Sequence, residues 1–234
     1  MAAPALLAAG VGRRFLGRWA VRNVSFELPT GALLLVHGAN GAGKTTLLRV
    51  LASALSPTEG SVSVFGGTPS GARARVSLLS HADGHYDELS GRDNLEAARR
   101  LGNLTGNVGE VLARVGLATR ADDPVRQYSA GMRKRLAFAR VLLKSPALAL
   151  FDEPYAALDA DGHVLVDTLF RELHAAGTTL VVSTHQVGRV APISTHTAEL
   201  ASGRLVAFGR AGTDAPGEPV STALPTGNLA EERP

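Results

Sequence analysis

Three short runs in this chain are almost wholly apolar: Leu33-Leu34-Leu35-Val36, Ala147 to Phe151 and Thr179 to Val182. A strand without alternation needs cover on both faces, as in the interior of a parallel sheet. Val21 to Leu28 alternates instead, with Val24, Phe26 and Leu28 set against Asn23, Ser25 and Glu27. That period of two predicts a half-buried strand in a β-rich entry, turned by Pro29-Thr30-Gly31 into the first apolar run. After a break at Ser56 to Gly60, Val62, Val64 and Phe65 predict another short strand, closed by Gly66-Gly67.

Helical spacing fills the intervals. Leu47, Leu48, Leu51 and Leu55 share one face, and Glu88 to Leu117 carries two further apolar sets interrupted by Gly102 to Gly109, hence two helices. Met132 to Leu143 is helical and stops at Pro146, and Gly162 to Ala175 is a helix between the last two apolar runs. Strand, helix and strand in that order predict an α/β fold with a parallel sheet. Glu199 to Gly209 reads as a hairpin turning at Ser202-Gly203, and Ala211 to Pro234 is expected to be a mobile tail.

Chemistry concentrates where these elements end. Gly38-Ala39-Asn40-Gly41-Ala42-Gly43-Lys44-Thr45-Thr46 has a glycine, four residues, then Gly-Lys-Thr, between an apolar strand and a helix. Glycines let successive N–H groups converge on phosphate oxygens, Lys44 adds charge near the β- and γ-phosphates, and the Thr45 hydroxyl reaches Mg²⁺. Asp152 and Glu153 close a hydrophobic strand, at the end where an open α/β sheet binds ligands. Asp152 is suited to hold Mg²⁺, and Glu153 to polarise the water that attacks the γ-phosphate. Ser129 is a good helix cap and also, with Ala130 and Gly131, a second anion site at a helix N-terminus. His185 follows the Thr179 run at a strand end, where it is suited to bond a γ-phosphate or the attacking water.

Composition removes several alternatives. With 24 basic and 21 acidic side chains the net charge is only +3, and Arg133-Lys134-Arg135 lacks the neighbouring aromatics of a nucleic-acid surface. That cluster is expected to be a solvated face, and no nucleic-acid partner is expected. The chain has no Cys, which removes disulfides, thiolate chemistry and Cys metal sites. No apolar run reaches the roughly eighteen residues of a membrane span, so a cytoplasmic protein is expected.

Taken in order, these motifs resemble the nucleotide-binding subunit of ABC transporters over residues 1–209. Gly38 to Thr46 resembles the Walker A motif, Leu148 to Asp152 with Glu153 resembles Walker B and its catalytic glutamate, and Ser129-Ala130-Gly131 resembles the signature. Ala157-Leu158-Asp159 resembles the D-loop, His185 the switch histidine, and Phe15 the aromatic that stacks on adenine. The resemblance implies a P-loop NTPase of ABC type: a mostly parallel core sheet, an N-terminal antiparallel β subdomain and a helical subdomain inserted at about residues 80–145. It implies ATP and Mg²⁺, with ATP sandwiched in a homodimer or pair of ATPase subunits, each signature facing the other Walker A. Integral membrane subunits are the implied partners, on the inner face of the cell membrane. Three positions depart from the family: in the signature, Ala130 stands where the common form has its second glycine and adds only a methyl group. His81 stands where the family has Gln, and is expected to approach Mg²⁺ or a water; Met132 follows the signature in place of an amide. The strings Asp87-Glu88-Leu89-Ser90, Asp93-Asn94-Leu95 and Ser183-Thr184-His185-Gln186 resemble the branch that exports haem for cytochrome c maturation. No direct haem binding is expected of the ATPase. A drug or lipid exporter is the alternative, and a soluble non-transport ABC protein is disfavoured by a single module without sustained heptads.

Overall fold

Alternation, and its absence, sort the strands into two sheets. The computed structural model describes residues 3–80 and 84–212. Its strands are β1 (Leu6–Phe15), β2 (Arg18–Leu28), β3 (Leu33–His37), β4 (Glu59–Val64), β5 (Val76–Leu79), β6 (Leu148–Asp152), β7 (Thr179–Ser183), β8 (His196–Ala201) and β9 (Arg204–Arg210). The helices are α1 (Lys44–Leu51), α2 (Gly91–Leu101), α3 (Val108–Arg114), α4 (Ala130–Lys144), α5 (Ala160–Ala175) and the single turn α6 (Val187–Val190). The alternating β2 joins β1 and β4 in an antiparallel sheet of order β2-β1-β4. The apolar runs occupy the middle of a second sheet of order β5-β6-β7-β3-β8-β9, parallel except for the closing β8–β9 hairpin.

The central strands are buried on both faces. Leu33, Leu35, Ala149, Phe151, Leu180 and Val182 enter one core, while Leu34, Val36, Leu148, Leu150 and Val181 enter the other. The first core lies under α2 to α5; the second lies between α1 and the antiparallel sheet, where Phe26, Leu28 and Val64 meet Leu47, Leu48 and Leu51. Helices α2, α3 and α4 all come from the chain between β5 and β6. Helix α4 starts two residues before the predicted Met132, because the Ser129 hydroxyl accepts a hydrogen bond from the Met132 N–H and starts the first turn. It ends where Ser145 adopts φ 49° ahead of Pro146.

Two strands were not legible in the pattern. β1 contains Ala8-Ala9-Gly10 and Gly12, residues of low strand preference, and is extended because β2 and β4 pair with it on either side. β5 has four residues, too few to display a period, and is an edge strand paired with β6. Conversely, Leu55 continues the apolar face of α1 but lies beyond its end at Leu51, packed against the second core. The Ala211–Pro234 tail expected from composition falls, after residue 212, outside the described residues.

Aromatic rings join α4, β6 and α5. Phe151 lies between Phe138 (centroids 5.5 Å) and Phe170 (4.8 Å), and Phe170 meets the edge of Tyr155 at 6.1 Å. Phe170 is fully buried. Phe170→Ala is therefore expected to lower unfolding free energy by about 3–5 kcal/mol, read as a shift in the urea midpoint.

Candidate nucleotide-binding site

Parallel pairing of β6, β7 and β3 delivers three chain segments to one sheet edge: Asp152-Glu153 after β6, Thr184-His185 after β7 and the glycine loop after β3. The loop is fixed by backbone packing. At Gly38, φ is 139° and a β-carbon would stand 2.1 Å from the Leu200 carbonyl oxygen. At Gly43, φ is 102° and a β-carbon would stand 2.4 Å from the Ala20 carbonyl oxygen. Both positions exclude any side chain. Helix α1 then begins with no side-chain cap and no acidic residue in its first turn. Its leading N–H groups and the positive end of its dipole therefore face the loop.

The result is a cleft of about 260 Å³ lined by Ala20, Asn40, Gly41, Ala42, Gly43, Lys44, Thr45, Thr46, Asp152 and Glu153. Gly38 and Ala39 form the root of the loop rather than its lining. Lys44 is 7% exposed, and its Nζ donates to the carbonyls of Gly38 (2.7 Å) and Ala39 (3.2 Å). Carbonyl partners leave its positive charge un-neutralised, which suits an anion. Asp152 is 1% exposed; its Oδ1 accepts from the Ser183 hydroxyl at 2.6 Å, while Oδ2 is buried with no hydrogen-bond partner. An orphaned carboxylate oxygen in a cleft that also presents the Thr45 hydroxyl fits a hard divalent cation. Among the described residues no three His, Asp or Glu side chains converge to hold a metal.

Glu153 and His185, predicted separately, meet here: His185 Nδ1 lies 2.9 Å from Glu153 Oε2. With the proton on Nδ1 the imidazole donates to the carboxylate. Glu153 holds φ at 47°, an uncommon conformation for a side-chain-bearing residue, and its N–H donates to the Ser183 carbonyl at 2.9 Å. Its side chain is mostly buried and that of His185 mostly exposed.

Other predicted residues lie elsewhere. Ser129 and Ala130 are exposed and Gly131 half-buried at the start of α4, and none lines the cleft. Asp159 caps α5, accepting from the Gly162 N–H at 2.8 Å and from Arg135 at 3.3 Å. These contacts, the Gly162 N–H foremost, hold its carboxyl below the usual carboxylate range. Phe15 is exposed beside the cleft, in a shallow concavity it shares with Leu16, Arg18, Trp19 and Ala20. Ala20 lines both, so the concavity adjoins the phosphate loop. The Arg13 guanidinium lies 4.7 Å from the centroid of the Phe15 ring. His81 falls outside the described residues.

One expectation is corrected. Arg133-Lys134-Arg135 is not a solvated face: all three are half-buried and partnered, Arg133 with Asp87 (2.7 Å), Lys134 with the Glu153 carbonyl (3.5 Å) and Arg135 with Asp159. Their partners lie 19 to 46 residues away in the chain, beyond the reach of a local pattern. Sequence reasoning also missed Ser183 as the partner of Asp152; the available signal was a hydroxyl closing an otherwise apolar strand.

The family model for the ABC transporter matches residues 21–156. The chain belongs to the ABC transporter family. It is 42% identical over 179 residues to the "Cytochrome c biogenesis ATP-binding export protein CcmA" of Xanthomonas oryzae pv. oryzae, covering 74% of this chain and 82% of the relative. It is 34% identical over 220 residues to the "Daunorubicin resistance ATP-binding protein DrrA3" of Streptomyces coeruleorubidus, covering 90% of this chain and 70% of the relative. Its fold is similar to a solved ATP-binding subunit of an ABC transporter, with TM-score 0.81 at 23% identity, covering 88% of this chain and 90% of that one. A dimeric ABC transporter cassette matches at TM-score 0.81 and 22% identity, over 89% of this chain and 99% of that one. These fold matches cover more of the chain than the family model's residues 21–156.

For this ABC family member the loop geometry sets a direct expectation. Gly43→Ala would force a left-handed alanine against the Ala20 carbonyl and weaken ATP binding by at least about tenfold, measured by calorimetry. Gly188→Ala, at a position with open space, is expected to leave that affinity unchanged.

Proposed function

We propose that this chain is the ATP-hydrolysing subunit of a membrane ABC transporter of the cytochrome c biogenesis branch. The observation that carries the hydrolytic reading is the 2.9 Å contact between His185 and Glu153 at the rim of a cleft holding an uncapped helix end, a buried lysine and an orphaned aspartate oxygen. The cleft has complementary halves: cationic and N–H groups for triphosphate, acidic oxygens for a cation.

In this reading the loop from Gly38 to Thr46 wraps the phosphates of ATP, with Lys44 offsetting their charge. Thr45 and Asp152 Oδ2 would hold Mg²⁺, which when bound neutralises charge building on the phosphate oxygens. Glu153 accepts a proton from the attacking water, and His185, bonded to Glu153 through Nδ1, fixes the direction of that carboxylate. Phe15 offers its ring to adenine beside the loop.

Ser129, Ala130 and Gly131 do not line the cleft of their own chain, and the exposure of Ser129 and Ala130 at the α4 N-terminus supports use of this segment by a second copy. Each ATP is then held between the glycine loop of one protomer and the signature of its partner, with Asp159 at the junction. Membrane subunits convert closure of that dimer into transport, with this chain peripheral on the inner face of the membrane. Among the described residues no helix is long and apolar enough to cross one. The haem-export assignment follows the higher identity to the cytochrome c biogenesis relatives, 42% against 34% for the daunorubicin resistance protein.

Glu153→Gln is expected to cut ATP turnover by about 10²- to 10⁴-fold while ATP still binds, measured by phosphate release alongside equilibrium binding. Retained turnover removes Glu153 as the base. The branch is tested by deleting the gene in its own host. Loss of covalently haem-bearing c-type cytochromes, restored by wild type and not by Lys44→Ala, is the expected outcome. Intact cytochromes with heightened drug sensitivity would assign the chain to drug export instead.

A further inference from the structure

Glu153 and His185 both sit outside regular secondary structure, yet they meet at hydrogen-bond distance. Two residues beyond Glu153 and four beyond His185, the same two segments are tied to one carboxylate. Tyr155, 2% exposed, donates its hydroxyl to Asp167 Oδ1 at 2.7 Å. Arg189 donates from Nη1 to Asp167 Oδ2 at 2.8 Å. The Arg189 guanidinium also lies 5.7 Å from the Tyr155 ring centroid, closing the triangle. Asp167 belongs to α5, which Val166, Leu169 and Phe170 anchor in the first core. Each carboxylate oxygen therefore serves a different segment, and the helix that carries them is rigidly packed.

We propose that Tyr155, Asp167 and Arg189 are positioning residues that hold the Glu153 and His185 segments in the register at which the two side chains meet. The inference rests on the reading of Glu153 and His185 as the hydrolytic pair.

Three observations support a fixing role over simple core filling. The first segment bends sharply, with Glu153 at φ 47° and Ala157 at φ 65°, a shape that needs external restraint. Tyr155 is held from both ends: its carbonyl lies 3.2 Å from His163 Nε2, and its hydroxyl bonds Asp167. Burial, with Asp167 beside it, pushes the Tyr155 hydroxyl well above its ordinary pKa, so it remains a donor throughout the working range. The second segment, Gln186 to Val190, has only one helical turn and is otherwise mostly exposed; the Arg189–Asp167 pair ties it to α5. A displacement of about 1 Å at either segment would break the contact between the pair, and misplacement of that size costs on the order of 10²-fold in rate.

The test uses the full-length chain in its active assembly, with steady-state ATP hydrolysis and ATP binding measured on the same samples. Tyr155→Phe keeps the ring and removes only the hydroxyl. Arg189→Ala removes the second tie at an exposed position, and Arg189→Lys restores a charge there. The expected result is a fall in kcat of about tenfold for Tyr155→Phe and Arg189→Ala, KM for ATP within about twofold of wild type, and partial recovery in Arg189→Lys. In a Glu153→Gln background neither change is expected to lower the residual rate further, because the group being positioned is gone. If Glu153→Gln abolishes turnover while Tyr155→Phe and Arg189→Ala keep wild-type kcat, the positioning role is overturned and the hydrolytic reading stands. A rise in KM with unchanged kcat, or lower thermal stability with unchanged kcat, also overturns it. If Glu153→Gln itself retains turnover, the hydrolytic reading fails first, and the inference with it. Should Tyr155→Phe not fold, the Arg189 pair decides alone.

Discussion

Burial of β6, β7 and β3 on both faces is the constraint from which the site follows. Their side chains feed two apolar cores, and an unpaired charge in either would be costly. Polar chemistry is therefore confined to the strand ends. Parallel pairing brings three such ends to the same edge, and its register sets Asp152 opposite Ser183, which is in turn opposite Val36 just before the glycine loop. The Ser183 hydroxyl then satisfies one oxygen of Asp152 and leaves the other for the cleft.

Around that edge, backbone packing gives the loops their shape. Leu200 on β8 and Ala20 on β2 leave no room for a side chain at Gly38 and Gly43, so two sheets that share no strand together mould the phosphate loop. Glu153 is restrained from several sides: its N–H by Ser183, its carbonyl near Lys134, and its side chain by His185. Restraint of this kind lets a sparsely populated backbone conformation persist. Helix α4 contributes Lys134 and Arg135 to this segment while holding Ser129 at the surface. The segment that holds the base and the segment proposed to serve a partner are thus mechanically joined within one chain.

Much of this was readable beforehand, and unevenly so. The runs Leu33–Val36 and Ala147–Phe151 announced interior strands because nothing polar interrupts them, and the Gly102–Gly109 break separated α2 from α3. Lys44, Thr45, Asp152 and Glu153, singled out by residue type and by their place at strand ends, do share one cleft. β1 escaped notice because alanine and glycine carry no strand signal of their own, and β5 because four residues show no period. Arg133-Lys134-Arg135 was misread because a charge run looks solvated until its distant partners are known.

The sequence alone determined which groups are available and on which elements they ride, since local spacing fixes helix faces, strand faces and turn positions. Strand order and loop packing were decided only by the tertiary structure. Those settle that Ser183 bonds Asp152, that His185 reaches Glu153, and that Asp167 ties Tyr155 to Arg189. Each of these contacts joins residues between 12 and 32 positions apart in the chain. No periodicity within one element encodes such a distance; it arises when separately folded elements bury their apolar faces against each other.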